Sequence, residues 1–280
     1  MITLAEVLRR STEYLGSHGS PTPRLDAELL LSHGLGLSRL ELYTQFDRPL
    51  TDDELAACRE LVRRRADREP VAYVLGHWGF RRLDLLVDAR VLVPRPETEL
   101  VVERCLQLLE GVEQPTLVDV GTGSGAIALA VKDERPDAVV TACDVSSDAL
   151  AVASANADRL GLDVAFVRSD LLADVESGSF DLIVSNPPYV SAAEIDALEP
   201  EVAVHEPRLA TVAGQDGLEV YRRLLPQAAE RLAHGGRIVL ECGAGQAPAL
   251  AEQLRALGYG GPAEDRDLAG IERVVWAAWP

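Results

Sequence analysis

Nowhere in the 280 residues do eighteen or more apolar side chains run together, the length that a helix needs to cross a bilayer. The N-terminal stretch MITLAEVLRRSTEYLG mixes acidic and basic residues among its leucines, so it lacks the apolar core of a secretory signal. A cytoplasmic protein with no membrane partner is expected. Cysteine is also scarce. Cys58, Cys105, Cys143 and Cys242 form no CxxC pair, which argues against a zinc site or a disulfide framework. The five histidines are equally scattered, without HxxxH or HExxH spacing, and no catalytic metal is expected. Basic residues are few: 27 Lys+Arg stand against 45 Asp+Glu, a net charge of −18. Phosphate neutralisation by Lys and Arg supplies most non-specific affinity for nucleic acid, so nucleic acid is not the expected substrate. The imbalance is uneven, with 10 basic against 12 acidic residues in 1–80 and 17 against 33 in 81–280. A basic protein partner suits the larger part.

With 47% apolar residues, the chain is long enough for one well-buried α/β core and a smaller module. Up to about residue 70 the pattern is helical. Leu4, Val7, Leu8 and Leu15 fall near helical spacing, then Leu25, Leu29, Leu30 and His33 before Gly34, and Thr51 with Glu54 forms a capping-box signature. Arg63, Arg64, Arg65 and Arg68 then read as a solvated helix end, where cations complement the helix dipole. Residues 71–95 alternate short apolar runs with turn residues and read as a β-hairpin linker. A helix opens at Glu97-Thr98-Glu99 behind Pro94-Arg95-Pro96. The expected organisation is a helical domain at 1–70, a hairpin linker at 71–95 and an α/β domain at 96–280.

From residue 116 apolar strands alternate with helices: TLVDV, AVVTAC, VAFVR, FDLIVS, RIVLEC and RVVWAA, with a helix expected through LEVYRRLLPQAAERLA. Such alternation predicts a Rossmann-like, mostly parallel sheet covered on both faces. Ligands in such folds bind at the carboxyl ends of the strands.

At the first of those ends stands VDVGTGSGA. Its Gly121, Thr122, Gly123, Ser124 and Gly125 can turn tightly and bring backbone close to a ligand ahead of a helix N-terminus. Read as Gly121-x-Gly123-x-x-Ala126, the loop also fits a dinucleotide fingerprint, so an NAD-dependent oxidoreductase stays open. Asp144, after the second strand, is placed to accept from both ribose hydroxyls of either NAD or S-adenosylmethionine. Asp170, after the third, suits an adenine amino group, with Leu171 lying against the ring. For both aspartates the alternative is an ordinary helix cap.

SNPPYV, residues 185–190, separates the two cofactor readings. The proline pair stiffens the turn and pushes Asn186 into an extended conformation. An amide NH2 is a poor nucleophile because its lone pair is delocalised. Acceptors on its two hydrogens, the Asn186 side-chain oxygen and the Pro187 carbonyl, favour pyramidalisation, and Tyr189 offers a flat surface for stacking. The order VDVGTGSGAIALA, CDVSSDALAVASANA, SDLL, FDLIVSNPPYV resembles the amino-methyltransferases with an (N/D)PP(Y/F) motif. With VLVPRPETELVV, EVAVHEPRLATVAGQDGLEVYRRLL and the helical N-terminal part, nearly the whole chain is similar to the bacterial release factor glutamine N5-methyltransferases (the HemK or PrmC family).

That resemblance implies methyl transfer from S-adenosylmethionine to the glutamine of the Gly-Gly-Gln motif in class I peptide chain release factors. A monomer is expected. The resemblance assigns cofactor contacts to Gly121 through Gly125, Asp144, Leu171 and Asn186, beside the Asp170 read from its loop position, and substrate contacts to Asn186, Pro187, Pro188 and Tyr189, with Asn186, Pro187 and Tyr189 catalytic. Arg95, Thr98 and Glu99 are expected either to border the cofactor pocket or to form a salt-bridged helix start. Some relatives carry an aromatic residue where this chain has Leu171. A DNA adenine methyltransferase would share the NPPY chemistry, but flipping a base calls for a basic groove. A methyltransferase acting on a glutamine of a ribosomal protein would look almost the same in its catalytic domain.

Overall fold

The computed structural model describes residues 2–176 and 178–280; Met1 and Ser177 lie outside it. Two compact units emerge among the described residues, one of residues 2–77 with 199–205, the other of residues 78–176, 178–198 and 206–280.

The first unit is helical: α1 (Leu4–Ser17), α2 (Pro23–Leu35), α3 (Arg39–Thr44), α4 (Asp52–Ala66) and α5 (Val71–Leu75). The capping box at Thr51 and Glu54 forms, each side chain bonding the other's backbone N–H. Pro23 opens α2, and Gly36, in the left-handed region, ends it. Thus α2 runs through Gly34, past the expected stop. Its buried face also differs from the expected one. Leu25 is 39% exposed, whereas Ala27, Leu30 and Leu31 are fully buried beside Asp26.

Asp26 decides that rotation, because its carboxylate meets Arg65 Nε at 2.7 Å, and both side chains are buried. Arg65 also bonds Glu201 at 2.7 Å, and Arg68 reaches Glu199 and Glu201 at 2.9 and 2.6 Å. Arg63 is solvated as expected, but Arg65 and Arg68 are not. Arg65 and Arg68 hold the Glu199–His205 segment through charge-assisted bonds.

Residues 71–75, expected in a hairpin, form a helical turn. The hairpin itself is β1 (His77–Phe80) with β2 (Leu83–Leu86). Then follow α6 (Thr98–Leu108), β3 (Thr116–Val120), α7 (Ala126–Glu134), β4 (Val139–Asp144), α8 (Ser147–Leu160), β5 (Ala165–Arg168), β6 (Phe180–Ser185), α9 (Arg208–Thr211), α10 (Glu219–Ala229), β7 (Leu232–Glu241), α11 (Ala247–Ala256), β8 (Gly260–Arg266) and β9 (Glu272–Ala278).

The seven-stranded sheet has the order β5-β4-β3-β6-β7-β9-β8. Only the β7–β9 and β8–β9 pairs are antiparallel. Successive strand residues point to opposite faces. Leu182, Val184, Val239 and Val274 accordingly pack with α6 and α7, while Ile183, Ile238, Leu240 and Val275 pack with α10 and α11. Both faces are covered, which is why these strands read as unbroken apolar runs.

Two elements depart from the sequence expectation. Helix α10 stops at Ala229, and Leu232 already pairs with Phe180 in a β7 that is irregular near its start. A Cβ on Gly236 would stand 2.9 Å from the carbonyl oxygens of Ala233 and Phe180, so glycine lets the strands close up there. Edge strand β8 has a Gly/Pro/acid-rich sequence without strand patterning; it forms because β9 supplies a ladder, and an edge tolerates Pro262.

Candidate active site

The chain reverses direction across the sheet after β5, and β3, β4 and β6 end level: Val120 is in register with both Cys143 and Ser185. Such a switch point opens a crevice beyond the strand ends. The glycine loop folds back over β4, with the N–H groups of Gly121 and Thr122 donating to the Cys143 carbonyl at 2.8 and 3.0 Å. A Cβ on Gly121 or Gly123 would meet nothing within 4 Å, but both residues have positive φ (76° and 57°), a conformation that favours glycine. Gly125 has positive φ as well (86°) and also serves packing. A Cβ there would press Leu129 Cδ1 at 2.8 Å.

In front of the loop lies a cavity of about 370 Å³, within the size range of small-molecule sites. Gly121, Thr122, Gly123, Ser124, Asp144, Asp170, Leu171, Asn186, Pro187 and Pro188 line it, with Arg95 and Thr98. Gly125, Tyr189 and Glu99 are not among its lining residues. The Glu99 carboxylate instead accepts from the Arg81 backbone at 3.0 Å.

Each lining group is held by its own partners. The Asp144 carboxylate accepts N–H from Gly123 at 3.0 Å and from Ser146 at 2.9 Å. Burial raises its pKa, against those backbone hydrogen bonds. It is not the cap of α8, a role taken by Ser146, whose hydroxyl accepts from Ala149 N. Asp170 is exposed and pairs with Arg223 at 2.5 Å; Leu171 sits at positive φ (57°) and packs on the α10 side of the core. Thr122 turns its hydroxyl to buried Asp119 at 2.7 Å, which leaves its backbone toward the cavity. Asn156 of α8 ties the hairpin to this loop, donating to Leu86 O at 3.1 Å and Ser124 O at 2.9 Å.

In the NPPY turn, Asn186 Nδ2 donates to Thr98 Oγ1 at 3.2 Å. The Tyr189 hydroxyl faces Glu241 Oε1 at 3.5 Å, and its carbonyl accepts from Gln246 Nε2 at 3.0 Å. Tyr189 thus packs behind the turn.

The "PrmC N-terminal domain" model matches residues 6–76, and the "Methyltransferase small domain" model matches residues 98–210. The release factor glutamine methyltransferase of Geobacter sulfurreducens is 43% identical, over 98% of this chain and 95% of its own. That of Deinococcus radiodurans is 45% identical over 98% of each. The chain belongs to the release factor glutamine methyltransferase family. Among solved structures, the T. thermophilus 16S rRNA N2 G1207 methyltransferase (RsmC), in complex with AdoMet and guanosine, has a TM-score of 0.53 at 22% identity over 73% of this chain and 50% of that one; the likeness shows the methyltransferase fold.

Three residues of this family member escaped the sequence reading. Glu206 is buried and accepts from Arg95 Nη2 at 2.6 Å and Val93 N at 3.3 Å. Burial raises its pKa against that guanidinium. Glu241 is 2% exposed and accepts from Thr98 Oγ1 at 2.6 Å. Its sequence signal was an acid ending an otherwise apolar strand, RIVLE, level with the other strand ends. Gln246 had no such signal. Among the described residues, no three His, Cys, Asp or Glu side chains cluster as metal ligands, and no helix is long and apolar enough to cross a membrane.

Proposed function

We propose that this chain transfers a methyl group from S-adenosylmethionine to the N5 amide nitrogen of the glutamine in the Gly-Gly-Gln motif of class I peptide chain release factors. One observation carries the reading beside family membership: Asn186 stands at the cavity with its Nδ2 engaged by Thr98, so its Oδ1 is the end left to accept from a substrate NH2.

The open space over Gly121 and Gly123 and the carboxylate of Asp144 fit the cofactor's amino-acid end and ribose. Asp170 and Leu171 border the adenine position, where Leu supplies apolar contact. When bound, S-adenosylmethionine supplies an electrophilic methyl on a sulfonium. Asn186 Oδ1 and the Pro187 carbonyl receive the two amide hydrogens and aim the nitrogen lone pair, while Pro188 stiffens the turn. Tyr189, outside the cavity lining, is assigned to bracing that turn rather than to stacking on substrate. Holding nucleophile and methyl in a near-attack geometry is worth roughly 7–11 kcal/mol.

The helical unit docks the body of the release factor, and the enzyme works as a cytoplasmic monomer. Docking predicts a higher kcat/KM for whole release factor than for a short Gly-Gly-Gln peptide; equal values would remove it. Nucleic acid is disfavoured as substrate by the acidity of the catalytic part. Incubation with labelled S-adenosylmethionine and unmethylated release factor, ribosomes or DNA tests the whole reading. Label is expected on release factor; label on ribosomal protein or DNA alone overturns it.

A further inference from the structure

We propose that Thr98 and Glu241 are positioning residues that set which end of the Asn186 carboxamide meets the substrate, an inference that rests on the role of Asn186 given above. The two ends of a carboxamide are nearly isosteric, one a double donor and the other an acceptor. A flipped Asn186 would face the substrate NH2 with its own NH2, and the acceptor would be lost. Something must select the orientation.

The selection follows from one proton. Thr98 Oγ1 lies 2.6 Å from Glu241 Oε2, a charge-assisted bond that commits the only hydroxyl hydrogen to the carboxylate. The Thr98 oxygen can then meet Asn186 only as an acceptor, and it is Nδ2 that stands 3.2 Å away. The chain therefore runs in one direction, from the Asn186 NH2 to the Thr98 hydroxyl to the Glu241 carboxylate. The fold brings the three together. Ser185 is in register with Leu240, so Asn186 and Glu241 are the next residues of neighbouring strands. Glu241 alternates with Leu240 onto the α6 face of the sheet, where Thr98 is the first residue of α6.

A buried acid at a strand end calls for a reason, because an apolar residue there would need no partner. Arg273 on β9 favours the charged form but bonds Asp267, at 2.9 Å. Glu97, just before α6, opposes the charge, whereas the Asn186 side chain bonds the carboxylate directly and so favours the charged form, with the same NH2-inward orientation. The Tyr189 hydroxyl, from the NPPY turn, faces the other carboxylate oxygen, Oε1, at 3.5 Å. The Tyr221 hydroxyl, from α10, bonds the Glu241 carbonyl at 2.7 Å rather than the carboxylate, and Cys242 follows it in the chain as a buried thiol. Burial is the main cause that pushes Glu241 up to about 7. Once protonated, Glu241 becomes the donor, the Thr98 hydroxyl hydrogen is freed to turn toward Asn186, and the flipped carboxamide can offer Oδ1 to it. The substrate acceptor is withdrawn, so turnover falls as pH drops through about 7.

The test uses the full-length protein with whole release factor: kcat and KM from pH 6 to 9, with S-adenosylhomocysteine affinity by calorimetry. Thr98→Val, which keeps shape and removes the hydroxyl, is expected to lower kcat about 10- to 100-fold, below the 10²–10³ typical of losing a preorganised catalytic donor outright. Thr98→Ser should restore most of that loss. Glu241→Gln can turn either end of its carboxamide to Thr98, so kcat is expected to fall part of the way toward that of Thr98→Val while the acid limb of the profile is lost. A merely structural role would change stability or KM and leave the pH profile alone. Thr98→Val at wild-type kcat, or Glu241→Gln with the wild-type acid limb, overturns the positioning role. Wild-type protein that methylates no release factor overturns the underlying reading instead.

Discussion

Replacing Arg65 by Met keeps most of the aliphatic stem and removes the guanidinium from the buried network of the helical unit. In the native protein that group bonds Asp26 and Glu201, each at 2.7 Å, and the Glu69 carbonyl at 3.2 Å. Its side chain is only 4% exposed and that of Asp26 3%. Glu201 would keep Arg68, whereas Asp26 would keep only the hydroxyls of Ser20 and Thr22, at 2.7 and 2.9 Å. The loss therefore falls mainly on an uncompensated buried carboxylate, which costs about 3–5 kcal/mol. Asp26→Asn in the Arg65→Met background removes that stranded charge, and a neutral pair of this kind is often no less stable than the ion pair. Urea unfolding followed by far-UV circular dichroism, on the wild type, both single variants and the double variant, measures the cycle. The double variant is expected to fall short of the sum of the singles by at least about 2 kcal/mol, the scale of coupling in one network. An Arg65→Met loss below about 1 kcal/mol, or strict additivity, would refute the account.

Asp144→Ala should weaken S-adenosylhomocysteine binding by roughly 1.5–3 kcal/mol, the range for hydrogen bonds to a charged group; an unchanged dissociation constant in calorimetry would take Asp144 out of the site. Asn186→Ala should lower turnover on release factor by about 10²–10³, with Asn186→Asp between it and the wild type because an acceptor oxygen is kept; Ala matching Asp at normal cofactor affinity would refute this. Asp119 is fully buried and leaves Oδ1 without a partner, and burial raises its pKa to about 7. Its folded value lies above its unfolded one, so its stabilising contribution is complete below about pH 4 and is lost as pH rises through about 7, up to roughly 4 kcal/mol. Melting temperatures from pH 5 to 8 should fall less for Asp119→Asn than for the wild type, and parallel curves would remove Asp119 as a source.

The local features that need no distant partner were legible along the chain. Apolar runs alternating with helical segments marked β3 through β6, Thr51 and Glu54 announced the start of α4, and the glycine loop, Asp144 and Asn186 stood at the strand ends where such a sheet opens its crevice. These depend on periodicity and backbone chemistry, which neighbouring residues determine among themselves. What required the tertiary structure was every choice made by a partner far off in sequence. Edge strand β8 exists because β9 offers a ladder, and the buried face of α2 follows Asp26 to an arginine 39 residues away. Glu99 turned from the cavity to Arg81. Tyr189 packed behind its turn, against Glu241 and Gln246, because strand register and the start of α6 place a buried carboxylate there. A carboxylate's burial, and hence its protonation and what it can orient, is a property of what surrounds it in space, and no run of adjacent residues encodes that.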